Sequence, residues 1–208
     1  MKKIKHYLII IILCITTLAV TETLSLNLGV YTVQAKASSS TKKKAQMAYR
    51  KFLTQKKYKY YRLWDIDKDG LNELIVTGGK YASGYFVTKA FVYTYVHGKI
   101  KYAGYVGSSM TGISYNRVSK RLHSARGGGG SIEEWYYTLT KNRKVKRVMC
   151  GAYINGIKNG NIQYKCFYNG KRISYKKWSQ IVKQWTKQKR QLNFYRNTAF
   201  NRKNNMKM

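Results

Sequence analysis

The sequence contains very few acidic residues, only three histidines and no proline. Seven Asp and Glu residues stand against 41 Lys and Arg, which gives a formal net charge of +34 over 208 residues. Disordered chains are typically rich in proline and poor in aromatic residues, whereas this chain has 20 Tyr, four Trp and six Phe. The composition therefore predicts a folded domain with a very basic surface.

The shortage of acids and histidines restricts the catalytic arrangements that the chain can form. Glu133 and Glu134 are adjacent, so on a strand they point to opposite faces and cannot act as a facing acid–base pair. His6 lies in the predicted leader and His97 in a predicted turn. We therefore predict that the protein is not an enzyme. A hydrolase built around His123 is the alternative, and it requires a carboxylate within hydrogen-bond reach of His123.

The three cysteines do not form a C-x-x-C motif, so neither thiol–disulfide exchange nor a zinc site is supported. Cys150 and Cys166 flank a predicted hairpin whose turn is centred on Lys158, which would place the two thiols opposite each other. Two interpretations are open for this pair. One is a disulfide, which would contribute on the order of 3 kcal/mol for a loop of this length. The other is two buried free thiols.

Residues 1–37 have the pattern of a signal peptide. Three lysines precede an apolar run of 14 residues, Tyr7–Val20, and Ala35-Lys36-Ala37 supplies a small-x-small cleavage site. The run is shorter than the roughly 20 residues that a membrane-spanning helix needs. We therefore predict secretion, with cleavage between Ala37 and Ser38. The mature chain would have 171 residues, 37 of them basic and six acidic.

Hydrophobic periodicity predicts a single α+β domain over residues 38–195, with an N-terminal helix, an antiparallel β-meander and a C-terminal helix. Ser40 or Thr41 is expected to cap the first helix, and Ser174 the last. Both helices are expected to cover one face of a single curved sheet. Residues 196–208 are expected to form a basic flexible tail. The predicted strands are Tyr60–Ile66, Glu73–Thr77, Tyr85–Val96, Ile100–Val106, Gly112–Tyr115, Arg121–Ser124, Ile132–Thr140, Val145–Ile154 and Ile162–Tyr168.

The strongest signal for a binding site is a cluster of acids in this otherwise basic chain. Four of the seven acids fall within the nine residues of Asp65-Ile66-Asp67-Lys68-Asp69-Gly70-Leu71-Asn72-Glu73. Alternating carboxylates repel one another unless a cation lies between them, and a glycine at the sixth position allows the chain to wrap that cation. A ligand set made only of oxygen suits a hard ion, Ca²⁺ before Mg²⁺. The predicted ligands are the side chains of Asp65, Asp67, Asp69 and Glu73 and the main-chain carbonyl of Leu71.

The pattern Asp65-x-Asp67-x-Asp69-Gly70-x-x-Glu73 resembles the DxDxDGxxE/D calcium loops of FG-GAP and VCBS repeats. Its first six positions are also similar to EF-hand and dockerin loops, but those families place an acid at position 12, where this chain has Val76. More widely, residues 41–192 resemble secreted proteins of low-GC Gram-positive bacteria. The resemblance implies a calcium-binding loop between two strands and a location outside the cell.

A different interpretation of the acidic cluster is a polar turn whose carboxylates pair with nearby lysines. The 1-3-5-9 spacing with glycine at position 6 favours the metal site over this reading. A single loop of this kind more often stabilises a small fold than senses calcium. We therefore predict a secreted, non-enzymatic domain with one structural Ca²⁺ ion.

The basic residues are spread over most predicted elements, and such a surface binds polyanions in a salt-dependent way. The alternative function is therefore a polyanion-binding module, with teichoic acid, anionic lipid or DNA as partners and no specific small-molecule substrate. This charge also favours retention at the cell surface, held by anionic wall polymers or an anionic membrane surface. Any nucleic-acid binding is expected to be non-specific. The residues proposed to bind polyanions are Lys42, Lys43, Lys44, Lys141, Arg143, Lys144, Lys146 and Arg147.

Overall fold

The computed structural model describes residues 36–56, 58–79, 87–108 and 111–206. Lys36–Met208 form one compact unit. Most of the predicted leader, up to Ala35, and the start of the predicted strand Tyr85–Val96 lie outside the described residues. Within the described ranges, none of the helices has the length and apolar character that crossing a membrane requires.

Three helices and twelve strands make up the described part of the chain. The helices are α1 (Ser39–Gln55), α2 (Tyr175–Thr186) and α3 (Ala199–Asn205). The strands are β1 (Tyr60–Trp64), β2 (Glu73–Thr77), β3 (Lys89–Val96), β4 (Lys99–Gly107), β5 (Ser114–Asn116), β6 (Leu122–Gly128), β7 (Ser131–Leu139), β8 (Val145–Lys158), β9 (Asn161–Tyr168), β10 (Lys171–Ile173), β11 (Lys189–Gln191) and β12 (Tyr195–Arg196).

The strands form two antiparallel sheets. The five-stranded sheet has the order β12-β1-β2-β3-β4, and the seven-stranded sheet has the order β10-β9-β8-β7-β6-β5-β11. The prediction of an α+β fold with an N-terminal and a C-terminal helix is confirmed, but the prediction of a single sheet is wrong. In each sheet most strands lie beside the strand that precedes them in the chain. The alternation of apolar and polar residues is the same in both sheets, so it does not show where one sheet ends and the next begins.

The main core lies between the two sheets. It contains Ala90 and Val92 from the five-stranded sheet and Trp135 and Tyr137 from the seven-stranded sheet. Because successive residues on a strand point to opposite faces, Tyr93 lies on the outer face of the five-stranded sheet, where its ring centre is 4.6 Å from that of Phe52 on α1. Both tyrosines of β3, Tyr93 and Tyr95, therefore pack against the core beneath α1.

The two long helices cover different sheets rather than one shared face. From α1, Ala45, Tyr49 and Leu53 pack on the outer face of the five-stranded sheet. From α2, Trp178 and Trp185 pack on the outer face of the seven-stranded sheet. The fold is therefore layered as helix, sheet, sheet and helix.

Local capping and turn signals in the sequence are largely confirmed. The Ser174 side chain accepts a hydrogen bond from the Lys177 main-chain N–H at the start of α2. The first helix begins earlier than predicted, because Ser38 is its cap and accepts from the Thr41 N–H. His97-Gly98 forms the predicted turn, with φ values of 49° and 77°.

The prediction of a flexible tail over residues 196–208 is wrong for its described part. Tyr195–Arg196 pairs with β1, and α3 follows. The Asn197 side-chain amide donates to the carbonyls of Leu53 and Tyr58, at 3.0 and 2.9 Å. The Met206 side chain is fully buried in the core beneath α1. The prediction failed because the tail is mostly polar and basic, and Met206 is the only large apolar side chain that its described part buries.

Candidate metal centre

The acidic loop connects two neighbouring strands of the five-stranded sheet. Trp64 at the end of β1 pairs with Glu73 at the start of β2, so the chain between them must turn back on itself. Gly70 has a φ of 83°, a left-handed conformation that favours glycine. Its N–H donates to Asp65 Oδ2 at 2.9 Å. The predicted role of the glycine in wrapping the loop agrees with this geometry.

Three of the loop carboxylates converge. Asp65, Asp67 and Glu73 each offer an oxygen that lies within 4.8 Å of the other two, a group that could hold a metal ion. Glu73 is fully buried, and its Oε2 accepts from the Ile66 N–H at 2.9 Å. Oδ1 of Asp65 and Oδ1 of Asp67 are buried without a hydrogen-bond partner. Buried oxygens of this kind normally have a donor or a cation beside them.

The other two predicted ligands have different surroundings. Asp69 lies outside the convergent group: its Oδ1 accepts from the Leu71 N–H at 2.7 Å. The Leu71 side chain is buried in the core beneath α1. The structure therefore supports three carboxylates of the predicted set as candidate ligands, and Asp69 takes part in holding the loop.

A single arginine from the other sheet contacts three of the loop acids. Arg143 lies in the turn between β7 and β8, and its Nη1 is 2.6 Å from Asp67 Oδ2 and 2.8 Å from Asp69 Oδ2. Its Nη2 is 3.3 Å from Glu73 Oε1, and its Nε donates to Thr94 Oγ1 at 3.3 Å. Arg143 thus joins the acidic loop of one sheet to a hairpin of the other.

Burial disfavours the charged form of the three convergent carboxylates. Burial raises the pKa of Glu73 to about 8, and it also raises the pKa of Asp65 and of Asp67. Burial alone would lower the pKa of Arg143, but Asp67, Glu73 and Asp69 hold it above its usual value. Asp65, Asp67 and Glu73 therefore resist ionisation, a penalty that a bound cation would relieve.

Arg143 corrects two predictions made from the sequence. It was assigned to a polyanion-binding surface, but its side chain is only 15% exposed and is held by the loop acids. The alternative reading of the loop expected lysines as partners, and the ion pairs are made by an arginine. No local pattern marks Arg143 among 41 basic residues, because it meets the loop only through tertiary packing.

The remaining residues of the predicted polyanion set lie on α1 and around the β7–β8 hairpin. Lys42 is half-buried, and its Nζ lies near Gly70 of the acidic loop. Lys144 Nζ donates to the Tyr102 carbonyl at 2.9 Å, and the Arg147 guanidinium lies 4.3 Å from the centre of the Trp135 ring system. The exposed members of the set are Lys43, Lys44, Lys141, Lys144, Lys146 and Arg147.

The two cysteines are present as free, buried thiols. The predicted direct opposition is wrong: Cys150 pairs with Tyr168, and Cys166 pairs with Ala152. A bulge between Ile154 and Gly156 shifts the hairpin register. Burial raises the pKa of Cys150 to about 11 and also raises the pKa of Cys166. Of the two interpretations left open by the sequence, the structure contains the free thiols.

His123 has the partner that the hydrolase hypothesis required, but it is buried. Its Nε2 lies 2.5 Å from Glu134 Oε2, although the two atoms are not aligned as a hydrogen bond. Ser114 Oγ lies 3.1 Å from His123 Nδ1 and donates to the His123 carbonyl at 3.2 Å. His123 and Ser114 are 1% and 2% exposed. A serine and a histidine at this depth cannot meet a substrate, so the geometry favours a structural polar network.

An open cleft of about 700 Å³ lies beside α2, and it contains neither Ser114 nor His123. Its wall includes the rings of Tyr136 and Trp185, which are tilted against each other with centres 4.0 Å apart. The cleft is lined by aromatic, aliphatic, polar and basic side chains, with no acid among them. Its basic residues are Arg121, Lys177 and Lys187.

In comparisons with known proteins, no protein-family model, no curated protein and no solved structure matches this chain.

Proposed function

We propose that the protein is a secreted, non-enzymatic domain in which one Ca²⁺ ion, bound by the acidic loop, stabilises the contact between the two sheets. The observation that carries the proposal is the pair of buried, unpartnered oxygens on Asp65 and Asp67, beside the fully buried Glu73. Arg143 contacts other oxygens of Asp67 and of Glu73. The unpartnered oxygens therefore remain for an ion.

The dimensions and chemistry of the group suit calcium. Oxygen ligands lie about 2.3–2.6 Å from Ca²⁺, so ligands on opposite sides of the ion are about 5 Å apart. The three candidate oxygens lie within 4.8 Å of one another. Ca²⁺ takes six to eight oxygen ligands, so main-chain carbonyls such as that of Leu71 and water would complete the shell.

The proposed location rests on the sequence. The basic n-region, the apolar run Tyr7–Val20 and the small-x-small site support export. Calcium is a suitable structural ion outside the cell, because modules there work with dissociation constants of about 10⁻⁴–10⁻³ M. The high positive charge supports retention at an anionic cell surface.

The experiment is a thermal melt of the purified protein in calcium and in chelator, with Asp67→Asn as the variant. At a calcium concentration about 100 times Kd, binding adds about 2.7 kcal/mol, or about 5–11 °C in Tm for a domain of this size. We expect this rise in the wild type and its loss in Asp67→Asn. Asp69→Asn is the matched control, because Asp69 lies outside the convergent group. An equal rise in wild type and Asp67→Asn would refute the site.

Polyanion binding is the second candidate function, and the cleft beside α2 favours it. Arg121, Lys177 and Lys187 line the cleft without an opposing acid, and Tyr136 and Trp185 supply aromatic surface. No acidic residue follows Glu134 in the sequence, whereas 19 basic residues do. Phosphate-rich wall polymers carry the charge that such a cleft would attract.

Paired charge-removing variants test this second candidate. Arg121→Gln/Lys177→Gln removes two charges from the cleft, and Lys51→Gln/Lys101→Gln removes two exposed charges elsewhere. With poly(glycerol phosphate) as the probe, we expect the cleft pair to lose about tenfold more affinity than the control pair, an energy of about 1.4 kcal/mol. Equal losses would mean that net charge alone sets the binding.

A further inference from the structure

The β8–β9 hairpin extends beyond the rest of its sheet. Pairing of β8 with β7 ends at Tyr153 opposite Ser131, while β8 and β9 continue to pair as far as Lys158 opposite Asn161. On its other side, β9 pairs with β10 only from Cys166 onward. Residues 154–165, which we call the projecting hairpin, therefore form a two-stranded ribbon with no neighbouring strand among the described residues.

One face of this ribbon is apolar and exposed. Ile154 pairs with Tyr164, and Ile157 pairs with Ile162. Opposed residues of an antiparallel pair lie on the same face, and alternation along β9 places Tyr164 and Ile162 on one side. Ile157 is 74% exposed, and Ile154 and Ile162 are each 48% exposed.

This face continues the surface on which α2 packs. Cys166, two residues from Tyr164, is buried with Trp178 in the cluster beneath α2. The Tyr164 ring stacks on Tyr175 at the start of the helix, with ring centres 5.2 Å apart. The helix thus covers one end of the sheet face and leaves the isoleucines beyond it open. Exposed apolar groups gathered in this way mark an interaction surface.

The charge around the projecting hairpin selects the partner. Lys158 pairs with Asn161 and Lys165 with Tyr153, so both lysines lie on the face opposite the isoleucines, and the chain has no acid after Glu134. A second copy would bring the same positive charges against each other, which disfavours self-association. An anionic surface would be attracted to them. Tyr164 and Tyr175 carry the polar-tipped aromatic rings that are enriched at membrane–water interfaces.

We propose that the apolar face of the projecting hairpin lies flat on an anionic lipid bilayer. Ile154, Ile157 and Ile162 enter the boundary between headgroups and acyl chains, while Lys158 and Lys165, on the opposite face of the ribbon, stay at the level of the lipid phosphates. The polar turn at Asn159-Gly160 stays outside the apolar region, which excludes insertion tip-first. The inference is separate from the cation site and from the cleft beside α2, and it stands or falls independently of both.

Sedimentation with vesicles tests the proposal. Vesicles of phosphatidylcholine alone are compared with vesicles of phosphatidylcholine and phosphatidylglycerol. The double variant Ile157→Thr/Ile162→Thr keeps β-branched side chains but removes apolar surface. The control is Phe200→Thr, which alters a residue outside both the hairpin and the cleft that is 74% exposed, like Ile157. The chain beginning at Lys36 is used beside the full chain, because the apolar run Tyr7–Val20 could bind lipid itself.

We expect binding to the anionic vesicles only, with a loss of about tenfold for each fully immersed isoleucine replaced. The Phe200→Thr control is expected to bind like the wild type. Unchanged binding of the double variant would show that lysines alone hold the protein at the surface, and would overturn the proposal. Equal binding of the wild type to neutral vesicles would also overturn it.

Two further measurements separate insertion from other outcomes. In Ile157→Trp, brominated acyl chains should quench fluorescence beyond the quenching seen for the wild type, and no added quenching would contradict insertion. Analytical ultracentrifugation without lipid should show a monomer. A dimer that the double threonine variant dissociates would assign the face to a second copy and overturn the lipid partner.

Discussion

Replacing Arg143 with glutamine should lower stability strongly in the absence of calcium. The Arg143 side chain is 15% exposed, and it contacts carboxylates that are 8%, 12% and 0% exposed. Removing one partner of a buried ion pair costs about 3–5 kcal/mol, because the remaining charge is left uncompensated. At about 2–4 °C per kcal/mol for a domain of this size, Tm in chelator should fall by about 6–20 °C.

Calcium should reduce that loss. The guanidinium and the ion would compensate the same carboxylates, so each should matter more when the other is missing. The rise in Tm on adding calcium should therefore be larger in Arg143→Gln than in the wild type. In a variant that also carries Asp67→Asn, this extra rise should disappear.

The assay is a set of thermal melts monitored by near-UV circular dichroism, in chelator and in a calcium series. Lys141→Gln is the matched control, because it removes the same charge from an exposed residue of the same hairpin turn. It should melt within about 2 °C of the wild type, since surface substitutions usually change stability by less than 0.5 kcal/mol. Two results would refute the reasoning: wild-type Tm for Arg143→Gln in chelator, or a calcium-induced rise no larger than that of the wild type.

Three further predictions concern the rest of the fold. Met206→Ala should lower the free energy of unfolding by about 2–5 kcal/mol in chemical denaturation, because the Met206 side chain is fully buried. Phe200→Ala is the control, since Phe200 is an exposed residue of α3, and an equally large effect there would contradict anchoring by Met206. Cys150 and Cys166 should resist iodoacetamide at pH 8 in the folded protein, because both thiols are buried and burial raises the pKa of each. With a pKa of about 11, Cys150 is ionised to about one part in a thousand at that pH. Both should react after denaturation without reductant, and no reaction would indicate a disulfide. Ser114→Ala should lower the free energy of unfolding by about 1–3 kcal/mol, because it removes the hydrogen-bond partner of His123 Nδ1. Esterase activity in the wild type that this variant loses would instead support the hydrolase hypothesis.

Elements with a local cause were predictable from the sequence. The helix cap at Ser174 and the turn at His97-Gly98 depend on residues that are neighbours in the chain. Strand β2 begins and ends at the predicted residues, Glu73 and Thr77. The start of α1 was placed two residues late or more, because Ser38, Ser40 and Thr41 are all competent caps and the pattern does not rank them.

Elements with a non-local cause were not predictable. The end of the chain was expected to be flexible, yet Asn197 and Met206 tie it to α1 and the strands beside it. The two cysteines were expected to face each other across a turn centred on Lys158, yet the hairpin turns at Asn159-Gly160, and a bulge then shifts its register by one residue. One extra residue in a strand changes every pairing beyond it, and a sequence pattern of period two does not contain that information.

The sequence by itself determined that the acids of this protein gather in one loop. Four acids with a glycine at the sixth position need only local spacing to converge, and three of them do. Tertiary structure decided what else meets that loop. It placed Arg143, 76 residues from Asp67 in the chain, between the two sheets and against the carboxylates. Arg143 belongs to the other sheet, so its contact with the loop depends on how the two sheets pack. That packing depends on the whole fold and cannot be inferred from the spacing of the loop residues.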